Sequence, residues 1–457
     1  MVSFWEVLDR AINTGPMLEP KEFDMLIFNK ATELIKEYDI KYDPNIPVPS
    51  DDNLADALFE AGLRLYLETG TYCISNQRVI KFTEDEIKEA LRDVTAKIII
   101  GEGSETRWLE KRNIEDKNEP LNLGGFIESN PTEGDSYVRM YQTAARETNL
   151  DGLYYGPSPT IEGKTWRPGT PLEAHAGICA TAWVREALRR VGRPGLHLTS
   201  ACPSAIGDIA SCNFQGGLRS SDSITLPTTT ELKTEYDTLS KIAFSINYGC
   251  IRNAFWLPMV GGYAGGAEGA AIVGVAGALH ALLVYQAGSG YSSCAATTIE
   301  RAGQSSRNTI WVTNMAWNAI TRNTDIIGGI GCTTRAGPGT EMMFYEAAAT
   351  AIGAIPYGVH IQHGVRKAVL VKPNQGSGLE PKFQGEIAKA AAGLKRADAN
   401  EIVKALLTKY EDRIHKAPQG KSFEELYDLK NLLPNKEYFK IYLNVKSELK
   451  NLGLPLD

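Results

Sequence analysis

The side chains of this chain that could do chemistry follow short apolar runs in its second half. They are hydroxyls, thiols, aromatic rings and imidazoles: Thr199, Ser200, Cys202, Phe255, Trp256, Cys294, Thr297, Cys332, Arg335, His360 and His363. No GxSxG elbow, HExxH pair or Walker A loop accompanies them, so hydrolase, zincin and nucleotide-binding chemistry lack a local motif. The sequence alone therefore assigns no catalytic residue.

A zinc site is one interpretation of three of these residues. Cys294, Cys332 and His360 fall at three predicted strand ends and could converge as the sulfur and nitrogen ligands of a tetrahedral zinc ion, which would activate a thiol. Free cysteine is also among the most commonly buried residue types. We favour burial and predict no metal site.

The elements that must position these residues alternate regularly from about Gly152 onward. The predicted strands are Gly152–Gly156, Leu196–Ser200, Ala254–Met259, Ser292–Thr298, Asp325–Ile330 and Ile355–Ile361. The predicted helices between them are Pro171–Val191, Thr229–Tyr248, Glu268–Ala287, Ser306–Arg322 and Gly339–Gly353. Repeated βα units predict a parallel sheet.

Together with a strand at Lys97–Ile100 and one in the loop-rich region after it, these units predict an α/β fold, a (β/α)8 TIM barrel. A doubly wound open sheet is the alternative, but its GxGxxG fingerprint is absent. In such a barrel, functional groups lie at the carboxyl ends of the strands. Charged, amphipathic segments on both sides predict helical extensions at 1–95 and 379–457 around a barrel domain at 96–378.

Composition limits the class of protein. The chain has 457 residues, 43% hydrophobic and 23% charged, which is typical of a folded globular protein. Its formal net charge of -7 gives no basic excess for binding nucleic acid. Seven scattered cysteines without a CxxC pair, and no secretory signal at the start, indicate a cytoplasmic protein. The uncharged stretch Gly269–Ile299 could suggest a membrane span, but its polar continuation favours a buried helix followed by a strand.

Several segments resemble the corrinoid-dependent monomethylamine methyltransferases of methylotrophic archaea. The resemblance is carried, almost without gaps, by AGLRLYLETGTYCISNQRVIKFTEDEI at Ala61–Ile87, GRPG at Gly192–Gly195, ELK at Glu231–Lys233, GGYAGG at Gly261–Gly266, NTDI at Asn323–Ile326, AGPGTEM at Ala336–Met342 and APQGKSFEELYD at Ala417–Asp428. It implies a (β/α)8 barrel that assembles as a homo-oligomer, a hexamer in the family. It also implies transfer of a methyl group to the cobalt of a separate corrinoid protein.

The resemblance fails at the residues that define the family's chemistry. Its pyrrolysine, whose imine is thought to capture the amine, aligns with Thr199. The two glutamates and the glutamine around it align with Thr225, Phe255 and Gly331. A threonine hydroxyl is a poor electrophile for an amine, so adduct formation with methylamine is not expected here.

We therefore predict a methyltransferase that acts without pyrrolysine on a small methylated donor, with a quaternary or substituted amine as the candidate. Phe255 and Trp256 support this because aromatic faces attract quaternary ammonium groups. The predicted donor-binding residues are Thr199, Ser200, Thr225, Phe255, Trp256, Gly331, Cys332 and His360. A zinc-thiolate methyltransferase acting on a thiol or alcohol, and a non-catalytic binding or assembly homologue, remain the alternatives.

Overall fold

Seven short strands pair in chain order to form one parallel sheet at the centre of the molecule. The computed structural model describes residues 2–125, 131–300 and 303–456. The strands are β1 Gly152–Tyr155, β2 His197–Ser200, β3 Ser223–Pro227, β4 Ile251–Trp256, β5 Tyr291–Cys294, β6 Gly328–Thr334 and β7 His360–Lys367.

The sheet is closed by the segment 121–125, which lies between its two edge strands. Asn122 bridges Ile361 of β7, and Gly125 bridges Tyr154 of β1, both in parallel. The Leu123 amide donates to the Ile361 carbonyl at 2.8 Å. This segment occupies the eighth position, so the predicted (β/α)8 barrel is confirmed.

The predicted barrel strand at Lys97–Ile100 is a strand, but its assignment to the barrel is wrong. It pairs antiparallel with Arg107–Glu110 in a separate hairpin. Ile100 of this hairpin packs with Leu123 and Tyr291 in a small apolar cluster at the amino-terminal end of the barrel. The hairpin therefore covers that end of the barrel.

Each barrel strand is followed by a helix on the outside. These helices are α1 Pro171–Arg190, α2 Ala205–Cys212, α3 Tyr236–Tyr248, α4 Ala267–Leu283, α5 Arg307–Asn323, α6 Glu341–Ala354 and α7 Leu379–Ala390. Proline at the first position of α1 and arginines in its last turn are residues that these helix ends favour. Nearly every residue of α4 is buried, which confirms the predicted buried helix before β5. In the described parts of the chain, no helix has the length and apolarity to cross a membrane.

Further elements flank the barrel. On the amino-terminal side the helices are Phe4–Asp9, Pro20–Glu37, Asp52–Thr69 and Glu84–Arg92, with Asp135–Ala145 after the closing segment. On the carboxyl-terminal side they are Arg396–Tyr410, Phe423–Leu426 and Lys436–Asn451. Short strands form additional pairs: Thr71–Cys73 with Arg78–Ile80 and Lys233–Thr234, Thr160–Ile161 with Lys164–Thr165, Met259–Val260 with Thr297–Thr298, and Tyr427–Asp428 with Leu433–Pro434. The predicted domain boundaries remain predictions.

The last two barrel strands differ most from prediction. β6 and β7 begin three and five residues later than expected. For β7 the reason is that Ile355–Tyr357 forms a 3-10 turn that extends the preceding helix. β3 and the short helix α2 were not predicted. β3 lacks the apolar pattern that predicts a strand, because its inward-facing residues carry hydroxyls. These hydroxyls are hydrogen-bonded to other side chains of the barrel interior.

Candidate functional site

A cavity of about 490 Å³ lies at the carboxyl ends of the barrel strands. Its walls carry three aromatic rings, Tyr154, Trp166 and Phe255. They also carry the prolines Pro131, Pro157, Pro159, Pro168, Pro203 and Pro227, the polar residues Thr165, Cys202, Thr225 and Arg366, and the small residues Gly156 and Ala201. We call this cavity the mouth chamber. Its volume lies within the range of small-molecule sites.

The floor of the mouth chamber is organised around His363. Its ring stacks on Tyr154, with centroids 4.3 Å apart, and lies against Phe255 at the same distance. The hydroxyls of Tyr154 and Thr225 are hydrogen-bonded at 2.7 Å. The strands thus bring two aromatic rings against one imidazole, and Thr225 is bonded to one of these rings.

Glycine at position 331 makes room for this imidazole. A Cβ atom placed on Gly331 would lie 2.6 Å from the Cβ of His363, closer than two such carbons approach. The pairing register of β6 and β7 shifts between Ile330 and Cys332, and Gly364 has a φ of 69°. An irregularity of this kind re-aims the side chains beside it, which places His363 inside the barrel.

Polar atoms beneath the mouth chamber have no hydrogen-bond partner among the described residues. They are Oδ1 of Asn253, both amide atoms of Gln362 and Nδ1 of His363. All three residues are at most 2% exposed. Burial, and secondly the charge of Arg366, hold the pKa of His363 well below its usual range, so the imidazole is neutral.

Thr199 lies deeper, in a cluster of hydroxyls inside the barrel. Its Oγ1 is 2.9 Å from the Tyr291 hydroxyl and accepts a hydrogen bond from Ser223 Oγ at 2.8 Å. The Tyr291 hydroxyl lies 2.7 Å from Ser223 Oγ, and burial raises its pKa to about 12. The Thr199 hydroxyl is thus occupied by uncharged neighbours, and Thr199 is not part of the chamber wall.

The predicted donor-binding residues divide by strand geometry. Thr225 and Phe255 line the mouth chamber, and Gly331 shapes its floor. Ser200, Trp256 and Cys332 follow inward-facing residues and point outward, because successive side chains of a strand alternate.

These three outward side chains contact the surrounding helices. Ser200 Oγ donates to Asp208 of α2 at 2.7 Å, Trp256 Nε1 donates to the Gly274 carbonyl of α4 at 2.9 Å, and Cys332 Sγ donates to Thr350 of α6 at 3.3 Å. Their predicted place in the pocket is wrong.

The predicted position of His360 is also wrong, since this residue begins β7 rather than ending a strand. Its Nδ1 accepts from the Leu121 amide at 2.9 Å, and its Nε2 donates to the Glu110 carbonyl at 2.7 Å. Burial lowers its pKa to about 3. His360 ties the amino-terminal hairpin to the barrel and lies at the end opposite the mouth chamber.

No zinc site forms from the predicted candidates. Among residues 2–125, 131–300 and 303–456 no group of three or more histidine, cysteine or acidic side chains could hold a metal ion. Cys332 points outward to α6, and His360 lies at the amino-terminal end of the barrel, so the two side chains do not converge.

The predicted donor-binding residues did not include Tyr154, Trp166, His363 or Arg366, although His363 was named among the residues that could do chemistry. Tyr154 could have been included, because it lies within the predicted strand Gly152–Gly156 and alternates with Tyr155, which bonds to Thr181 of α1. Arg366 could not, because β7 was placed five residues too early, and the same error left the position of His363 unassigned.

Cys202 lies in the wall of the mouth chamber beside a buried ion pair. Lys241 and Asp208, both at most 1% exposed, pair at 2.8 Å, and the Lys241 ammonium also donates to the Cys202 carbonyl at 2.6 Å. Burial raises the pKa of Cys202 well above its usual range, so the thiol stays protonated. The pair fixes the loop after β2 and does not create a thiolate.

Comparison with known proteins gives a consistent result over the whole chain. The family model "Monomethylamine methyltransferase MtmB" matches residues 2–454. Monomethylamine methyltransferase MtmB of Methanosarcina mazei is 32% identical over 453 residues, and MtmB2 of Methanosarcina acetivorans is 33% identical over 454 residues; each match covers 98% of both chains. The crystal structure of the Methanosarcina barkeri monomethylamine methyltransferase superposes with a TM-score of 0.93 at 31% identity, covering 99% of this chain and 98% of that one. The crystal structure of the hydroxylamine MtmB complex gives the same values.

Proposed function

We propose that this chain, which belongs to the monomethylamine methyltransferase MtmB family and is a methyltransferase of that family, uses a quaternary or substituted amine as its donor and works without pyrrolysine. The methyl group goes to the Co(I) of a corrinoid carried by a separate protein. A homo-oligomer of six copies and a cytoplasmic location belong to the same proposal.

One observation carries the choice of donor: the described walls of the mouth chamber contain no carboxylate, and burial holds the pKa of the His363 imidazole in its floor well below the usual range, which makes this imidazole a weak base. Methylamine is protonated at neutral pH and must lose a proton before its nitrogen can react with an imine. A quaternary ammonium donor leaves as a neutral amine and needs no proton transfer. The chamber suits the second kind of donor.

The aromatic walls supply the recognition. Tyr154, Trp166 and Phe255 surround the cavity, and an onium group against such a ring gains about 0.5–2 kcal/mol. Phe255 is half-buried and held against His363, so its ring needs little ordering when the donor binds. Prolines on the remaining walls keep the chamber stiff and apolar.

The surroundings of Thr199 support the proposed independence from pyrrolysine. Its hydroxyl is engaged by Tyr291 and Ser223 and lies below the chamber. A neutral hydroxyl bound in this way offers no electrophilic carbon to an amine.

The chain's own residues contribute positioning and exclusion of water. The corrinoid would supply the nucleophile, so that the methyl carbon–nitrogen bond breaks with its electron pair remaining on nitrogen. Aromatic walls hold the donor, and the hairpin Thr160–Thr165 with Trp166 covers the rim of the chamber, where the Trp166 indole donates to the Ser158 carbonyl at 2.6 Å. Holding the reacting carbon in line is the main catalytic demand of such a transfer.

The test is methylation of Co(I) cobalamin, or of a corrinoid protein, followed by cobalt absorbance across methylamine, quaternary amines, thiols and alcohols. We expect methylation by a quaternary amine and none by methylamine. A thiol or alcohol donor whose activity is lost on chelation would replace this proposal with a zinc enzyme. No transfer from any donor, with folded protein and active corrinoid, would favour a binding or assembly role.

The role of Phe255 is tested by Phe255→Leu, with Phe28→Leu as the matched control on the exposed face of an amino-terminal helix. We expect the first variant to bind a quaternary donor about fivefold more weakly while keeping its fold, and the second to bind like the parent. Equal affinity in both variants would remove Phe255 from donor recognition.

A further inference from the structure

Two consecutive polar side chains of β7 lie inside the barrel beneath the mouth chamber. Opposite Gly331 of β6, β7 has three residues, 362–364, in place of one. Successive side chains of a regular strand face opposite sides, but this irregularity turns both Gln362 and His363 inward. Each lies against a glycine of β6, because a Cβ atom on Gly329 would clash with Gln362 and one on Gly331 would clash with His363. Both strands are therefore shaped around these two side chains.

The polar atoms that this arrangement buries lack hydrogen-bond partners among the described residues. Asn253 belongs to the same group, since it pairs in register with Thr225 of the chamber wall. Its Nδ2 donates to Nε2 of His363 at 3.4 Å, so the neutral imidazole carries its proton on Nδ1. The unpartnered set then has two hydrogen-bond donors, His363 Nδ1 and Gln362 Nε2, and two acceptors, Asn253 Oδ1 and Gln362 Oε1.

The position of this set distinguishes it from other buried amides. Gln384 is also fully buried, and both of its amide atoms also lack a described partner, but it lies on α7 outside the barrel. The set around Gln362 lies directly below the mouth chamber, where His363 contacts the rings of Tyr154 and Phe255. A molecule bound in the chamber can therefore reach it and complete its hydrogen bonds.

The mixture of hydrogen-bond donors and acceptors selects the chemistry of that molecule. A carboxylate only accepts hydrogen bonds and an ammonium group only donates them, so neither satisfies the whole set. Asn253, Gln362 and His363 are uncharged, and a buried ion without a counter-charge is costly. A neutral hydroxyl or carboxamide both donates and accepts, and it brings no charge into the barrel.

We propose that the methyl donor carries, besides its methylated nitrogen, a neutral hydroxyl or carboxamide that hydrogen-bonds to Asn253, Gln362 and His363. This inference rests on the proposed function and narrows its substrate class. The methyl group to be transferred faces the open mouth, its nitrogen lies against Tyr154 and Phe255, and the substituent on the far side of the nitrogen faces the floor. The three polar residues then determine specificity.

The proposal is tested by calorimetric binding of four trimethylammonium probes: choline, its carbamoylmethyl counterpart, glycine betaine and n-propyltrimethylammonium. The propyl probe has the length of choline with a methyl group in place of the hydroxyl. We expect the parent protein to bind choline or the carbamoylmethyl probe at least about tenfold more tightly than the propyl probe and glycine betaine. The tighter of the first two probes identifies the neutral group.

Gln362→Met replaces the unpartnered amide by an apolar side chain of similar volume. We expect it to reduce the preference to within about twofold, while stability against urea equals or exceeds that of the parent because a buried, unpaired amide is removed. Gln384→Met is the matched control, which should change stability in the same direction and keep the preference of the parent. Asn253→Leu removes an unpartnered acceptor from β4 and decides the question if Gln362→Met does not fold.

Equal binding of the propyl probe, choline and the carbamoylmethyl probe by the parent would overturn the proposal. So would tightest binding of glycine betaine, no binding of any probe at millimolar concentration, or a preference that survives in both Gln362→Met and Asn253→Leu. Cobalt methylation with the same probes separates the two proposals. A preference that depends on Gln362 without methyl transfer would remove only the proposed function, and equal transfer from choline, the carbamoylmethyl probe and the propyl probe would remove only this inference.

Discussion

Two groups of buried polar side chains at opposite ends of the barrel differ in their hydrogen bonding. At the amino-terminal end, the Arg112 guanidinium donates to the carbonyls of Asp116, Asn118, Ile355 and Val359, and both ring nitrogens of His360 are hydrogen-bonded. Beneath the mouth chamber, atoms of Asn253, Gln362 and His363 have no partner among the described residues.

The same difference in hydrogen bonding occurs within a single strand, between a histidine that holds the fold together and one beside the candidate site. His360 and His363 are three residues apart on β7, both buried and both neutral, yet only the first has all of its polar atoms satisfied. Buried polar groups are nearly always hydrogen-bonded in folded proteins. An exception beside a cavity indicates a place that water or a ligand completes.

The largest effect on stability is expected at the amino-terminal end of the barrel, where the polar groups of Arg112 and His360 are hydrogen-bonded. Arg112→Met keeps an apolar stem but leaves four carbonyls without their donor, of which those of Ile355 and Val359 are in buried hydrogen bonds. We expect the free energy of unfolding to fall by about 3–5 kcal/mol. Urea denaturation measures this. Arg107→Met, at an arginine of the hairpin strand that precedes Arg112, is the control and should cost less than about 1 kcal/mol. Equal losses in the two variants would mean that satisfaction of the buried carbonyls contributes little.

His360 makes the free energy of unfolding depend on pH. Its pKa is about 3 in the folded protein against an ordinary 6.5, so the unfolded chain binds more protons between these values. The stability it contributes is complete above pH 6.5 and is lost as the pH falls toward 3. Between pH 7 and pH 5 this loss is about 2 kcal/mol.

His360→Asn should therefore show a shallower decline of unfolding free energy over the same pH range. The exposed His415 offers a matched control, since His415→Asn should keep the slope of the parent. Parallel slopes in the parent and His360→Asn would contradict the buried, neutral state of this imidazole.

The smallest effect on stability, and the most specific effect on binding, is expected at the chamber floor. Gly331→Ala introduces a methyl group 2.6 Å from the His363 Cβ and should move the imidazole from between Tyr154 and Phe255. We expect a loss of about 1–2 kcal/mol in stability and about tenfold in donor affinity. Removing the clash in Gly331→Ala/His363→Ala should restore most of the stability but not the affinity. Unchanged affinity in the single variant would show that the floor does not shape the site.

Much of the fold could be predicted from residue patterns. The predicted helix Pro171–Val191 differs from the observed Pro171–Arg190 by one residue, because a proline start and an arginine-rich end are local signals. Strand prediction failed where glycine or hydroxyl residues replace the apolar pattern, so that β3 was not predicted and β6 was placed too early. The closing segment 121–125 has no strand pattern of its own, since its pairing depends on edges supplied by β1 and β7.

The candidate site was predictable only in part. Thr225 and Phe255 line the mouth chamber, and their role in donor binding stays a prediction. Ser200, Trp256 and Cys332 point away from it, because a shift of one residue turns a side chain to the other face of a strand. Their outward contacts with α2, α4 and α6 depend on helices packed around the completed barrel.

The sequence by itself determined the family and the barrel of alternating strands and helices, since both are expressed in the order and identity of residues along the chain. Only the tertiary structure decided that Gly331 makes room for His363, that His360 belongs to the opposite end, and that Arg366 shares a cavity with three aromatic rings. These relations join residues from separate strands. They arise only when the sheet closes and its register fixes which side chains face inward.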